Sequence, residues 1–440
     1  MRTRAVFVLG VLVCAVTGRA AAQAPMDSSL LAFIAGIKAV DNHAHVSSVS
    51  PADSEADALP LEVLPPGTPP IRLRPESPTW LAAYRAVYGY QHEDLSGAHM
   101  DELRAAMKRV ATEQGDHFPQ WVLDRIGTEV VVANRVAMGP GLTGPRFRWA
   151  SYVDALMLPL PTSHEPMTPD SRAFFPLEER LLQRYLRDLH VTTLPASLDD
   201  YLRIVVTPTL AAQRKAGALA VKFEAAYLRP LSFDYASPGE ARRVYARYVR
   251  GGAVPHASYK ILQDYLFREI ARTAGRLGMA IHVHSADGAG SFYDVAGSNP
   301  FLLQSAFNDS TLRGTQFVLI HGGSAVYASQ AGAMMNKGNV YVDMSVMTLL
   351  YSPTMLADIL RPWLTVRPER VLFGTDAFGM GPDQGWEIAA AVATTTGRQA
   401  VAIALTGMMR DGEISRARAE ELAVMVMRGN ASRLYGLGLP

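Results

Sequence analysis

The sequence has a single cysteine and almost no excess of either charge. One cysteine, Cys14, excludes a disulfide within the chain and a zinc site built on thiolates. The 42 basic and 41 acidic side chains give a formal net charge of +1, which argues against a polybasic arm for nucleic acid. Apolar residues make up 49% of the 440 positions, so a disordered chain is excluded as well. The composition indicates a globular protein with ample material for a core.

The first 24 residues carry the pattern of a secretory signal. Arg2 and Arg4 precede an apolar run at 5–16, which is too short to span a bilayer comfortably. Small residues follow at 20–24, and we expect cleavage after Ala22, so that 1–22 is a signal peptide. The mature chain would then have no cysteine and would be periplasmic or secreted. A short N-terminal anchor is the competing interpretation, and no later stretch is expected to span a membrane.

Short β-like runs alternate with longer helix-like runs along the rest of the chain. Buried parallel strands are rich in Val, Ile, Leu and Ala and are bounded by turn residues. Eight runs fit this description: 39–43, 129–133, 149–155, 218–223, 279–284, 316–321, 340–345 and 370–376. Eight strands that alternate with helices predict an α/β fold, a (β/α)8 TIM barrel, as a single domain over 23–440.

The longest interruption follows the first predicted strand. Residues 47–78 are rich in Pro, Ser and acidic side chains, and 80–125 have a helical pattern. Loops of this length are usually functional or disordered. We therefore expect an insertion at about 47–125 that contains helices and covers the top of the barrel as a partial lid.

Two of the predicted strands end in paired histidines. His43 and His45 are two positions apart, and His282 and His284 repeat that spacing. Alternate residues of a strand share a face, so each pair projects two imidazoles to one side. Two such imidazoles can bind one divalent cation.

Two further strands end in a single chemically active side chain. His321 follows four apolar residues, and Asp376 ends an apolar run. A carboxylate at such a position is costly unless it is paired or bound to a metal. Because barrel enzymes build their active sites at the C-terminal ends of the strands, we expect all these side chains to converge.

Lys222 lies within an apolar strand, where an ammonium group needs a partner. Three roles are open to it. It can bind a substrate carboxylate, it can be carboxylated and bridge two metal ions, or it can pair with Glu224 two positions along the same face.

Taken in order, these segments resemble the amidohydrolase superfamily, in particular its amidohydrolase 2, or amidohydrolase-related, branch. The resemblance runs from about 40 to 437. The motifs that carry it are Asp41-Asn42-His43-Ala44-His45, the Lys222 strand with Tyr227-Leu228-Arg229, Ala280-Ile281-His282, Leu319-Ile320-His321-Gly322, the segment 339–345, Leu372-Phe373-Gly374-Thr375-Asp376, and the tail at 429–436.

The resemblance implies a set of roles for the residues of the site. One divalent ion, with zinc the leading candidate, would be held by the ligand set His43, His45, His282 and Asp376, and a second ion is left open. His321 would act as a catalytic base or electrophile, or as a ligand if a second ion binds, and Asp376 would accept the proton of water. His284 stands where the family usually has a small residue. Because His282 is preferred as the metal ligand, His284 is expected to contact the substrate or to support a metal ligand without binding the ion itself. Lys222, Arg229 or Tyr227 would contact the substrate.

Three functions follow from this pattern. The leading one is a metal-dependent hydrolase that uses a metal-activated water on a small amide, ester or lactone-like substrate. The first alternative is a metal-dependent decarboxylase of an aromatic or unsaturated carboxylic acid, and the second is a catalytically silent periplasmic barrel that binds a small ligand. The expected partner is a small molecule, not nucleic acid, and a homo-oligomer is left open.

Overall fold

A computed structural model describes residues 26–50, 52–53, 56–65, 67–285 and 288–439. The predicted signal peptide at 1–22 lies outside these residues. Within them, eight strands form one parallel sheet in the order β1 to β8. Their bounds are β1 Ala39–Ala44, β2 Thr128–Arg135, β3 Phe147–Tyr152, β4 Ala218–Phe223, β5 Ala280–His284, β6 Phe317–Ile320, β7 Val340–Asp343 and β8 Val371–Leu372.

The helices of the described residues alternate with these strands and cover the outside of the sheet. They are α1 Ser28–Gly36, α2 Pro78–Tyr88, α3 Gly97–Gln114, α4 Phe118–Ile126, α5 Asp154–Met157, α6 Pro169–Asp188, α7 Leu198–Tyr201, α8 Thr207–Lys215, α9 Pro238–Tyr248, α10 His256–Arg276, α11 Gln304–Phe307, α12 Ser324–Met334, α13 Met347–Leu350, α14 Pro353–Val366, α15 Trp386–Arg410, α16 Arg416–Val424 and α17 Asn430–Tyr435. The arrangement is a (β/α)8 TIM barrel, so the predicted fold class is confirmed.

Backbone hydrogen bonds join the first strand to the last and close the barrel. The Asn42 N–H donates to the Phe373 carbonyl at 2.9 Å, and the Asp376 N–H donates to the His43 carbonyl at 2.7 Å. The strand predicted at 370–376 is regular only over Val371–Leu372, because the chain then turns into a left-handed conformation at Asp376 (φ 55°). This turn brings the end of β8 against the end of β1.

The interior of the barrel is apolar at its lower end, which is the N-terminal end of the strands. Alternate strand residues such as Val40, Val132, Val318 and Leu372 are buried there. Tyr435, at the end of α17, packs into the same layer. The C-terminal segment therefore closes one end of the barrel, and the polar strand ends are left at the other.

The insertion between β1 and β2 divides into two parts. Helices α2, α3 and α4 pack against one another, and α2 and α4 also lie against α15 on the flank of the barrel. The irregular segment before them passes over the strand ends, where Leu59, Leu61, Pro70 and Leu73 line a cavity. The loop, and not the helices, thus supplies the insertion's side chains to the mouth.

Helix α15 corrects one expectation from the sequence. It is long and apolar enough to cross a membrane by length and composition, although no such stretch was expected after the signal. In the described fold, 83% of its most apolar 18-residue stretch is buried. Packing within the protein accounts for its apolar character, as in other core helices.

Candidate metal centre

Three of the predicted ligands meet at the C-terminal end of the barrel. The ligand atoms of His43, His45 and Asp376 all lie within 4.8 Å of one another. Asp376 Oδ1 is 2.8 Å from His43 Nε2 and 3.4 Å from His45 Nε2. His43 and Asp376 are buried, and His45 borders the cavity. These three residues are called the metal centre below.

In both histidines of the metal centre, another side chain contacts Nδ1, the ring nitrogen that faces away from Asp376. His45 Nδ1 lies 3.0 Å from Asp57 Oδ2, so it donates to that carboxylate and the ring is held with Nε2 toward Asp376. His43 Nδ1 lies 2.6 Å from the side-chain amide of Asn134. The atom of Asn134 that faces the ring is the amide nitrogen, and the contact holds His43 with Nε2 toward Asp376.

The donor set fits a divalent cation. Two imidazole nitrogens and one carboxylate oxygen are ligands that zinc and similar ions take in catalytic sites. His43 Nε2 is buried and makes no hydrogen bond with any described group, although Asp376 is close to it. A buried nitrogen that faces a carboxylate without a proper hydrogen bond is well placed to share a cation with it.

Burial and charge set the protonation of the three groups. Burial is the largest cause that lowers the pKa of His43 well below its usual value. For His45 the effect of burial is outweighed by Asp57 and Asp376, which raise its pKa to about 10. Burial would raise the pKa of Asp376, but the nearby histidines lower it below its usual value. The carboxylate of Asp376 is therefore the ionised form, ready to bind a cation.

Two residues of the site have a left-handed backbone, which side chains other than glycine rarely adopt. His321 has φ 68° and Asp376 has φ 55°. Hydrogen bonds hold both residues: the His321 N–H donates to Asp343 Oδ1 at 2.8 Å, and the Asp376 N–H donates to the carbonyl of His43. Strain of this kind clusters at functional sites, where the surrounding structure maintains it.

A hydrogen-bonded group lies beneath the metal centre and is called the support network here; it consists of Asn42, Asp343, Ser345 and Tyr435. Tyr435 donates to Asn42 Oδ1 at 2.5 Å, and the Asn42 amide donates to Asp343 Oδ2 at 2.8 Å. Ser345 Oγ donates to Asp343 Oδ1 at 2.7 Å. The network joins the end of the chain to the strand ends that carry the site.

His321 stands beside the metal centre and rests on the support network. Its ring centroid is 5.1 Å from that of His43, and its Nδ1 is 2.9 Å from Ser345 Oγ. Because Ser345 donates to Asp343, it accepts from His321 Nδ1–H, which leaves His321 Nε2 with a lone pair. Burial lowers the pKa of His321 well below its usual value, so the ring is neutral.

The two histidines of β5 lie at different depths. His282 Nε2 is 2.6 Å from the Tyr435 hydroxyl, and His282 is not among the residues that line the cavity. His284 lines the cavity, with its ring centroid 4.8 Å from that of His321. Neither belongs to the group of ligand atoms formed by His43, His45 and Asp376. Of these two histidines, His284 is therefore the one that shares the cavity with the metal centre.

Lys222, Tyr227 and Arg229 have different surroundings. Lys222 is buried, lines the cavity and has its Nζ 4.0 Å from Glu224 Oε1. Tyr227 also lines the cavity and lies against His284. Arg229 is held away from it, since its guanidinium is 2.8 Å from the Asp264 carboxylate. The expected contact between Arg229 and the substrate does not fit this placement, because Arg229 is not in the cavity lining and its charge is already matched.

The cavity above the metal centre has a volume of about 370 Å³ and is lined by both polar and apolar side chains. The polar ones belong to His45, Lys222, Glu224, His284, His321 and Asp376. The apolar ones belong to Leu59, Leu61, Pro70, Leu73, Val346, Leu350 and Phe378. Such a cavity can hold a small molecule with one reactive polar end and an apolar body.

Three residues with evident roles were missed from the sequence. Asp57 lies in the loop that was interpreted only as a lid, and Asn134 ends the second strand. Glu224 was considered only as a partner of Lys222, and it also lines the cavity. The signal available for Asn134 and Glu224 was their place at the C-terminal ends of predicted strands, where polar side chains point toward the site.

The comparisons agree with this architecture. A protein-family model described as "Amidohydrolase" matches residues 40–437. No curated protein sequence matches the chain. A Lactobacillus casei ATCC 334 protein, provisionally assigned as a metal-dependent hydrolase, superposes with a TM-score of 0.63 at 14% identity, covering 94% of this chain and 98% of its own.

Two isomerases are also similar in structure. Glucuronate isomerase from Caulobacter crescentus has a TM-score of 0.62 at 14% identity, with 94% of each chain covered. Uronate isomerase from Thermotoga maritima has a TM-score of 0.58 at 14% identity, with 92% of this chain and 96% of its own covered. At such low identity these structures support the fold and leave the reaction open.

Proposed function

Because the chain belongs to the amidohydrolase family, we propose that it is a metal-dependent hydrolase of a small amide, ester or lactone-like substrate. The observation that carries the proposal is the convergence of His43, His45 and Asp376, of which His45 and Asp376 line a cavity. A divalent ion bound there would lower the pKa of a water molecule to about 7 and polarise a carbonyl group. Zinc is the leading candidate for this ion.

Asp376 and His321 supply the proton transfer and the polar contact that hydrolysis needs. The ionised carboxylate of Asp376 accepts a proton from the attacking water. The neutral ring of His321, held by Ser345, faces the same cavity with the lone pair of Nε2, which can accept a hydrogen bond from the attacking water. Both side chains are held by backbone and side-chain hydrogen bonds, so little reorganisation is needed during the reaction.

Lys222 is best explained as a free ammonium group that contacts the substrate. Glu224 lies 4.0 Å from it, and the carboxylate of Asp154 also acts on its charge. Carboxylation of Lys222 would replace a positive charge with a negative one beside these two acids, so we do not assign it as a bridging ligand. As an ammonium group it can donate a hydrogen bond to an oxygen of the substrate.

The apolar side chains that line the cavity favour a substrate with an aliphatic or aromatic body. Leu59, Leu61 and Leu73 come from the loop over the mouth and offer no hydrogen bonds from their side chains. A sugar acid, with a hydroxyl on most carbons, would leave those hydroxyls without partners at this wall, at about 1–3 kcal/mol for each buried group. The uronate isomerases are therefore a guide to the fold and a poor guide to the substrate.

Decarboxylation is the second candidate, and Lys222 is the feature that favours it. An ammonium group in the cavity could hold the carboxylate that is lost as carbon dioxide. We rank hydrolysis first, because the proposed metal centre would supply the activated water that hydrolysis needs. Carbon dioxide release from aromatic acids, without hydrolysis of esters or amides, would reverse this order.

Metal content and activity of matched histidine variants test the proposal. The wild-type protein should hold at least one divalent ion per chain by elemental analysis, and chelation should abolish hydrolysis of a panel of small esters, amides and lactones. His45→Ala should lose both the ion and the activity. His164→Ala, which changes an exposed histidine, should keep both. Full hydrolysis by metal-free wild-type protein would contradict the proposal.

We place His284 ahead of His282 as a further ligand. The support is that His284 lines the cavity beside His321, whereas His282 Nε2 is engaged by Tyr435. His282 keeps a second, buried nitrogen, Nδ1, that makes no hydrogen bond with a described group. Metal affinity of His284→Ala and His282→Ala decides between them: a larger loss in His282→Ala would restore His282 as the ligand.

A further inference from the structure

Three buried carboxyl groups lie side by side next to the cavity, and are called the acid cluster here: Asp154, Glu178 and Glu224. Their side chains come from the start of α5, from α6 and from the end of β4, and they are 0%, 1% and 6% exposed. Asp154 Oδ2 accepts a hydrogen bond from the Glu224 backbone N–H at 2.7 Å. Of the three, Glu224 is the one that lines the catalytic cavity.

Most oxygens of the acid cluster lack a hydrogen-bond donor. Asp154 Oδ1, Glu224 Oε2 and both carboxyl oxygens of Glu178 are buried and make no hydrogen bond with any described group. The backbone N–H of Ala155 faces Glu178 but offsets its burial only in part. An ionised carboxylate buried without donors is far more costly than a neutral carboxylic acid. The arrangement therefore suits groups that carry protons.

The charges around the cluster lead to the same conclusion. Lys222 supplies one positive charge, which acts on Asp154 and Glu224, and His45 adds a weaker one from the mouth. Asp57 opposes them with a further negative charge on Glu224 and Glu178. One ammonium group cannot neutralise three carboxylates, so protons must supply part of the balance.

The protonation of the cluster follows from its burial. Burial, the largest cause, raises the pKa of Asp154 to about 7 and that of Glu224 to about 8. Burial, with the charges of Asp154 and Glu224, raises the pKa of Glu178 well above its usual value. Near neutral pH the cluster holds protons that ordinary carboxylates would have lost.

Given the proposed hydrolase function, we infer that Glu224 donates the proton that the leaving group takes up, and that the neighbouring carboxyl groups of Glu178 and Asp154 keep Glu224 in its protonated form between turnovers. Glu224 touches the cavity, so it can reach the reacting atoms. Lys222, 4.0 Å away, stabilises the carboxylate that forms when the proton leaves. Donor and base are then different residues in one cavity, with Asp376 serving only as the base.

The proton balance of this step is complete. The oxygen of water forms a bond to the carbonyl carbon, and its proton passes to Asp376. The bond from that carbon to the leaving nitrogen or oxygen breaks, and the leaving atom takes a proton from Glu224. Asp376 releases its proton to solvent, the acid cluster takes one up from solvent through Glu224, which borders the cavity, and no other reactant is consumed.

A leaving-group series tests the donor role. The metal-loaded Glu224→Gln variant is compared with the wild-type protein on acetate esters and acetanilides whose leaving groups differ in basicity. We expect the variant to lose about 10²- to 10⁴-fold in kcat with basic leaving groups, which need a proton. It should stay within a few-fold of the wild type with the 4-nitrophenyl ester, whose leaving group departs as an anion. Equal losses across the series, or no loss, would overturn the inference.

Infrared spectroscopy supplies a readout that does not depend on turnover. The carbonyl stretch of a protonated carboxylic acid is separate from that of a carboxylate. The wild-type protein should show it near neutral pH, and Glu178→Gln and Glu224→Gln should each remove part of it. A wild-type spectrum without this band would overturn the inference even if hydrolysis is observed. A protein that shows the band but hydrolyses nothing would refute the proposed hydrolase and the donor role with it, and would leave only the proton-holding cluster.

Discussion

The metal centre and the support network are built from similar side chains but differ in how completely their atoms are bonded. In the support network, Asp343 accepts three hydrogen bonds at Oδ1 and one at Oδ2. In the metal centre, His43 Nε2 faces Asp376 without a hydrogen bond. A saturated group can only hold its neighbours in place, whereas an unsaturated one can bind a ligand. Substitutions in the two regions should therefore fail in different ways.

The largest effect is expected from Asp376→Asn. An amide at this position keeps the shape but removes the negative charge that two imidazoles need to hold a cation. Metal affinity should fall by more than about 100-fold. That value is the upper end of the loss when a residue that only supports a ligand is changed, and Asp376 would bind the ion directly. Competition with a chelator measures the affinity, and activity should disappear with the metal. Asp358→Asn, an exposed position, is the control; unchanged affinity in Asp376→Asn would remove Asp376 from the metal centre.

Asp57→Asn probes the outer side of the metal centre. The carboxylate accepts from His45 Nδ1, and its loss frees the ring and lowers the basicity of Nε2. Losses of about 10- to 100-fold in metal affinity are typical for such partners. The same chelator competition applies, with Glu62→Gln, an exposed acid of the same loop, as the control. Equal affinities in the two variants would mean that Asp57 does not support the ligand.

Tyr435→Phe probes the support network. Removing the hydroxyl leaves Asn42 Oδ1 and His282 Nε2 without their partner. A buried polar group left unpaired costs about 1–3 kcal/mol, so the free energy of unfolding should fall by that order. Denaturant unfolding measures it, with Tyr235→Phe at an exposed position as the control. Metal content should stay that of the wild type; its loss would erase the distinction between the two regions.

Glu178→Gln probes a third region, the acid cluster, whose atoms are unsaturated yet hold protons. Because the pKa of folded Glu178 is raised, its neutral form stabilises the fold at low pH, and this stability is lost as pH rises above the pKa of the unfolded chain. Gln stays neutral, so the variant should gain stability relative to the wild type as pH rises, by at most about 1.4 kcal/mol per pH unit. Thermal unfolding from pH 5 to 8 measures the difference. The exposed Glu179→Gln should show no such trend, and a flat difference for Glu178→Gln would mean that Glu178 is not protonated in the fold.

The fold was accessible from the sequence because each buried strand is a short apolar run. The run at 218–223 was placed with the bounds of β4, and His43, His45 and Asp376 were expected together because parallel strand ends share one rim. The outer partners were not accessible in this way. Asp57 contacts His45, and Arg229 pairs with Asp264, through contacts of loops and helices. The alternation of residues along a strand carries no information about such contacts.

The choice between His282 and His284 shows the same limit within one strand. The alternation of residues along a strand puts both side chains on the inner face of β5. It does not say how far along the barrel axis each side chain lies from the cavity. Depth is set by Tyr435, which enters from the opposite end of the barrel and engages His282. A contact with the last helix of the chain cannot be predicted from the local pattern of β5.

The seam between the first and last strands has a consequence for the biogenesis of the protein. Asp41 accepts two hydrogen bonds from Thr375, a residue 334 positions later, and Asp376 follows directly. The ribosome adds the Asp41 side of this seam 334 residues before the Thr375 side. A nascent chain that has not yet reached Thr375 and Asp376 thus has no complete cation site, and loading with metal must wait until both sides have been made and the barrel has closed.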